Sequence, residues 1–150
     1  MDFVAIDFET TGYDNGCNNE PWQLGIAVVQ GGEIVEEREF FFGTPITPEH
    51  ETVIAQWDLW FPYVANKHLL AHNIATERTI LTKIAPLTKW GPWTDTLKVA
   101  KSKYPGLKSY ALRDLCELFG SVPDIEGRTW HDGLYDAVAC ARLGMVLKVI

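Results

Sequence analysis

The chain has 150 residues, 47% of them hydrophobic and 22% charged, a composition that excludes disorder as the main state and predicts one domain, 1–150, with a core that needs no disulfide or metal staple. Its 20 acidic and 13 basic residues give a net charge of −7. No apolar run approaches the roughly 20 residues of a membrane span. The first ten residues lack the basic start of a signal peptide, and three widely spaced cysteines (Cys17, Cys116, Cys140) predict reduced thiols. A cytoplasmic protein without a membrane is the expectation.

Taken in chain order, Phe3–Phe8 reads as a buried strand, and the TTGYDNG run after it is turn chemistry. Residues 23–30 form a second strand, Gly31-Gly32 a tight hairpin turn, and 33–42 a third, more polar strand, together an antiparallel meander. Thr47-Pro48-Glu49 is a helix start signal. Val53, Ile54, Trp57, Trp60, Phe61 and Val64 then recur at helical spacing, and the face shared by Trp57, Trp60, Phe61 and Val64 reads as core packing. A short strand over 68–72, a helix from Ile74 to Ala85 and a fifth strand at Trp93-Thr94 follow. Helices over 95–102, 109–119 and 132–148 complete the pattern. The order predicts an α/β domain with a mixed sheet, in which ligands gather at strand ends.

Charge adds a second layer. Residues 1–66 hold 12 acids and one base, 67–113 nine bases and two acids, and 114–150 six acids and three bases. That split predicts an electropositive surface set apart from an acidic concentration, and a polyanion docks where local fields favour it.

Three clusters carry chemistry. Asp7-Phe8-Glu9 ends the first strand, and alternate strand residues share a face. Its two carboxylates can therefore meet one hard cation such as Mg²⁺ or Mn²⁺. Thr10-Thr11-Gly12 is a small-residue turn whose backbone N–H groups can hold a nucleotide phosphate. His72-Asn73 leads into a helix, with Asn73 a candidate N-cap and Glu77 one turn inside. His131 precedes Asp136 by five residues. Imidazole near a cation suits general-base work, Asp136 suits a ligand role, and Asp132 reads as a helix N-cap. Trp130, beside His131, is the aromatic residue expected to approach a substrate.

Together, and in order, these clusters resemble the DEDDh family of 3′–5′ exonucleases. Asp7-Phe8-Glu9-Thr10-Thr11-Gly12 resembles its first motif, Ala71-His72-Asn73 with Glu77 its second, and His131 with Asp136 its third. The resemblance implies a ribonuclease-H-like fold, a five-stranded mixed sheet with helices on both faces. It implies hydrolysis of a single strand, DNA favoured over RNA, from the 3′ end to nucleoside 5′-monophosphates. It further implies two divalent ions, Mg²⁺ or Mn²⁺, held by Asp7, Glu9, Glu77 and Asp136, with His131 as base and Thr10, Thr11, Gly12, His72 and Asn73 against the substrate. The basic stretch would meet the incoming backbone, and a DNA polymerase or repair complex is the implied partner.

Two departures stand out. The family usually carries aspartate where this chain has Glu77, preceded by an aromatic residue where this chain has Thr76. The segment before residue 68 is short and lacks the family's His-Gly-Ile run, which helps form the terminal-nucleotide pocket. They keep a second reading open, a weakly active or inactive nucleic-acid-binding module or replicase subunit of the same fold.

Overall fold

In the computed structural model, which describes residues 1–14 and 16–149, the N-terminal apolar run forms β1 (Phe3–Thr10) and carries the Asp7-Phe8-Glu9 triplet inside the strand. Of the turn run that follows, Asn15 lies outside the described residues. β2 (Pro21–Gln30) and β3 (Glu33–Phe41) are joined at Gly31-Gly32, whose φ angles of 61° and 80° are those a two-residue hairpin demands and glycine supplies without strain. The remaining elements are α1 (Trp57–Val64), β4 (Leu69–Ala71), α2 (Ala75–Ile84), β5 (Trp93–Asp95), α3 (Thr96–Lys103), α4 (Leu112–Phe119) and α5 (Gly133–Leu147).

The five strands lie in the order β3-β2-β1-β4-β5. β1 pairs antiparallel with β2, which pairs antiparallel with β3; β4 is parallel to both β1 and β5. The sheet is therefore mixed, and helices cover both faces, as the resemblance implies. The period of two along β1 sorts its side chains. Val4, Ile6 and Phe8 join Leu24, Ile26, Trp60, Val64, Ile80 and Leu81 in one core, under α1 and α2. Phe3 and Ala5 join Ala27, Val29, Val138 and Ala141 in a second core, under α5. Asp7 and Glu9 continue the α5 side. A third cluster ties α3 and α4 to the back of α5 through Ala100, Leu115, Cys116 and Leu143.

Two elements start later than the pattern predicts. The signal at Thr47-Pro48-Glu49 opens no helix; α1 begins at Trp57. Thr44 and Thr47 instead close a turn by reciprocal backbone bonds, the Thr47 hydroxyl donates to the Phe42 carbonyl, and the Gln56 amide donates to the carbonyls of Phe41 and Glu51. These side chains outcompete the helical ladder locally. Likewise α4 begins at Leu112, not 109, because the Tyr110 carbonyl is turned away to accept from His72 Nε2 (2.7 Å) and Ala111 is extended (ψ 143°).

The predicted aromatic face of α1 is in the core, as expected. Trp60 is fully buried, its Nε1 donating to the Val53 carbonyl, and Trp57, Phe61 and Trp90 pack around it. All three cysteines are buried and free of disulfides. No helix among the described residues is long and apolar enough to cross a membrane.

Candidate active site

The site grows from one backbone contact. Asp7 lies opposite Gly25, and Glu9 opposite Gln23, across the β1–β2 pair, so all four share the α5 side of the sheet. Gly25 has no side chain there, and the first turn of α5 fills the space. A Cβ on Gly25 would sit 1.9 Å from the Gly133 carbonyl oxygen, so only glycine permits this approach. Gln23 is 1% exposed, and its Oε1 accepts from the Gly133 N–H at 2.9 Å. Small residues continue along the helix: Ala137, Ala141 and Gly144 are buried, and a Cβ on Gly144 would meet Leu70 at 2.5 Å. The helix therefore lies close to the strands and delivers Asp136, in its first turn, to the end of β1.

The result is a carboxylate trio. Ligand oxygens of Asp7, Glu9 and Asp136 all lie within 4.8 Å of one another, the one such metal-competent group among the described residues. Their protonation reflects the crowding. Burial first, then the neighbouring Glu9 carboxyl and the charges of Glu77 and Asp136, hold the Asp7 carboxyl well above its usual range. Burial and the charge of Glu9 push Asp136 up to about 7, against bonds from the His131 backbone that pull it down. Asp7 Oδ2 is sealed from solvent with no hydrogen-bond partner. A buried carboxylate oxygen without a donor is costly, and a hard divalent cation would satisfy it with oxygen ligands of the right kind. The residues present fit Mg²⁺ or Mn²⁺.

Glu77 stands beside this trio and not within it. It is 4% exposed, and its Oε1 accepts from the Phe8 N–H at 3.3 Å. β4 ends at Ala71, so no strand continues alongside Phe8 there, and the glutamate supplies the missing acceptor. Burial raises its pKa to about 7, with the charges of Glu9 and Asp95 adding to it.

His131 sits at φ +70° on the exposed loop before α5, and its backbone N–H donates to both oxygens of Asp136 at 3.2–3.3 Å. That contact places it at the rim of the trio. Asp132 caps α5, accepting from the Tyr135 N–H, as predicted. Trp130 packs edge-on to Tyr135, with ring centroids 4.9 Å apart.

The expected substrate contacts divide. Thr11 is braced at the strand end, its backbone N–H donating to the Glu20 carbonyl and its hydroxyl accepting from the Glu20 N–H. Thr10 ends β1 after an irregularity in the register, and Gly12 follows at φ +71° with open space where a side chain would be. His72 has both ring nitrogens engaged inside the protein, Nδ1 with the Thr96 hydroxyl (2.8 Å) and Nε2 with the Tyr110 carbonyl; burial lowers its pKa. It therefore holds β4 to the segment before α4. Asn73 is not the N-cap of α2, which is Ile74 without a side-chain cap bond. Asn73 is in the left-handed region (φ +63°), and its N–H donates to Asp95 Oδ1.

Sequence reasoning missed the residues that brace the site. Asp95 is buried and accepts from the N–H groups of Asn73, Ile74 and Leu97, fixing the turn ahead of Glu77 and capping α3 together. Arg128 makes a two-pronged pair with Glu39 (2.6 and 2.7 Å) and also reaches Asp132, while Gln23 Nε2 donates to the same Glu39. The one available signal was polarity out of place: a glutamine within the apolar β2 run and an acid directly after Trp93-Thr94.

Comparison with known proteins gives the family and the fold. Residues 44–143 match the family model RNase_T, described as Exonuclease. The PolC-type DNA polymerase III of Thermotoga maritima is 30% identical over 99% of this chain, and that of Bacillus subtilis 29% identical over 99%. The chain spans only 11–12% of the length of those relatives. The DNA polymerase III subunit epsilon of Aquifex aeolicus is 26% identical over 94% of this chain and 77% of its own. Among solved structures, an exonuclease X in complex with 5′ overhanging duplex DNA superposes with a TM-score of 0.74 at 22% identity, covering 97% of this chain and 90% of that one. The nuclease domain of 3′hExo, a DEDDh family member bound to rAMP, gives 0.70 at 18% identity, with the same coverage. Both show the same fold.

Proposed function

The chain belongs to the RNase T-type exonuclease family, and on that premise we propose that it removes nucleotides from the 3′ end of a single strand, DNA in preference to RNA, releasing nucleoside 5′-monophosphates. The observation that carries this reading is the Asp7–Glu9–Asp136 trio with its orphaned buried oxygen. Asp7, Glu9 and Asp136 would hold one divalent cation, Mg²⁺ or Mn²⁺, and Asp7 with Glu77 would assist a second. When bound, the cations would supply positive charge that acidifies water and offsets charge on the departing 3′ oxygen.

The chain's own residues do the rest. His131, exposed at the rim and tethered by its backbone to Asp136, accepts the proton of the attacking water. The water oxygen joins phosphorus, the bond to the 3′ oxygen breaks, and the released hydroxyl takes a proton from solvent. Thr10, Thr11 and Gly12 would offer the end of β1 to the last nucleotide, and Asn73 its exposed side-chain amide. His72 acts by holding the segment beside Asn73 in place. The names of the relatives support a DNA polymerase as the partner.

The test is a 3′-labelled single strand, as matched DNA and RNA, incubated with Mg²⁺ or Mn²⁺. Labelled mononucleotide should appear, DNA faster than RNA, and should vanish in EDTA or in the Asp7→Asn variant. Full activity in either would end the reading. Glu77's commitment to the Phe8 amide favours one alternative, a nucleic-acid-binding module that cleaves weakly. Binding without shortening in both metals would establish it.

A further inference from the structure

The buried face of α2 carries Glu77, Ile80 and Leu81. Its opposite face, Ala75, Arg78, Thr79 and Thr82, recurs at the same helical spacing and forms one wall of a groove of about 650 Å³, closed on the other side by Asp95 and Lys98 at the start of α3. Arg78, Lys83 and Lys98 line it, and none of them forms an ion pair with a carboxylate among the described residues; Lys83 Nζ reaches only the Asn18 carbonyl, at 3.5 Å. Asp95 is the one acid in the wall, and its oxygens are taken by backbone N–H groups. In a chain of net charge −7, three cations against one acid whose oxygens are already bonded leave a net positive wall, a place suited to an external anion. The groove opens at Asn73, in the same turn that leads to Glu77.

We propose that this groove holds the phosphate backbone of the strand upstream of the 3′ end, with Arg78 and Lys98 each neutralising a phosphate and Thr79 and Thr82 presenting hydroxyls to it. The proposal rests on reading the carboxylate trio as an exonuclease site. Contacts of this kind position the strand without reading its bases, so the groove serves any sequence.

The experiment is fluorescence anisotropy of labelled oligodeoxythymidylates, 12 and 3 nucleotides long, over a salt series with Ca²⁺. Each phosphate contact on a single strand contributes a slope of about −0.7 in log affinity against log salt. Arg78→Glu with Lys98→Glu should weaken the 12-mer at least about tenfold and reduce the slope by about 1.4, while the 3-mer changes less than about twofold. The milder Arg78→Ala/Lys98→Ala pair should show the same slope change, with an unaltered circular dichroism spectrum. An unchanged slope, or an equal loss for 12-mer and 3-mer, overturns the proposal. Wild-type protein that binds with the expected slope yet cleaves nothing sinks the exonuclease reading and leaves the groove standing. Cleavage with groove variants indistinguishable from wild type in binding sinks the groove alone.

Discussion

His131 holds a backbone conformation that few residues other than glycine accept, and it does so while its N–H is bonded to Asp136. A left-handed φ costs on the order of 1 kcal/mol or more, which the surrounding contacts must offset. The strain has a use: it turns the loop so that the imidazole stays outside while the amide faces the trio. His131→Ala keeps the amide and removes the ring. Turnover on a single strand should fall about 100-fold or more, with binding within a few-fold, read by single-turnover kinetics beside anisotropy. Equal loss in both would mean that the ring binds and does not take the proton. Glu77 shows the opposite economy, a carboxyl used for a backbone hydrogen bond at the edge of the site. Its presence was legible from its place five residues after His72. Its partner was not, because the Phe8 amide lacks a strand neighbour only once β4 is known to stop at Ala71.

At the scale of elements, α5 and β2 meet through glycine against backbone. Gly25→Ala would put a methyl carbon within 1.9 Å of the Gly133 carbonyl, and neither backbone can yield cheaply. We expect a loss of about 3 kcal/mol or more, read as a lower denaturation midpoint in urea, and with it the loss of Mg²⁺-dependent activity, since Asp136 would leave the trio. An unshifted midpoint would refute the close contact. The strands themselves were legible: apolar runs with period two and the Gly31-Gly32 turn suffice for β1 to β3. The starts of α1 and α4 were not. Thr44, Thr47 and Gln56 capture backbone groups ahead of α1, and His72 draws the Tyr110 carbonyl from 38 residues away. The brace between Arg128 and Glu39 spans 89 residues and has no local signature at all.

Over the whole molecule, the acids that make the site also load the fold. Glu77 and Asp136 have pKa values raised to about 7 by burial, so between about pH 4.5 and 7 the folded chain binds more protons than the unfolded one. The sign follows: without metal, these groups lower stability as pH rises through that window, by up to about 1.4 kcal/mol per pH unit in mid-window for buried Glu77 and by less for the partly solvated Asp136, and the fall levels off above it. The melting temperature in EDTA should therefore decline from pH 5 to pH 8. Glu77→Gln should flatten that decline and melt several degrees higher at pH 8, at roughly 2–4 °C per kcal/mol. Mg²⁺ or Mn²⁺ should raise the wild-type melting temperature most at high pH, by mass action on the folded form. A wild-type curve that rises with pH in EDTA, or one that metal does not move, would contradict these assignments.

The alternation along β1 also links correctness of folding to chemistry. Val4, Ile6 and Phe8 face one core, while Asp7 and Glu9 face the other side with Asp136. A slip of one position would thrust both acids into the apolar core beneath α1 and α2 and carry them away from Asp136. The same parity check that rejects a misaligned sheet thus disarms it, and a misassembled copy of this chain would be an inert protein and not a stray nuclease.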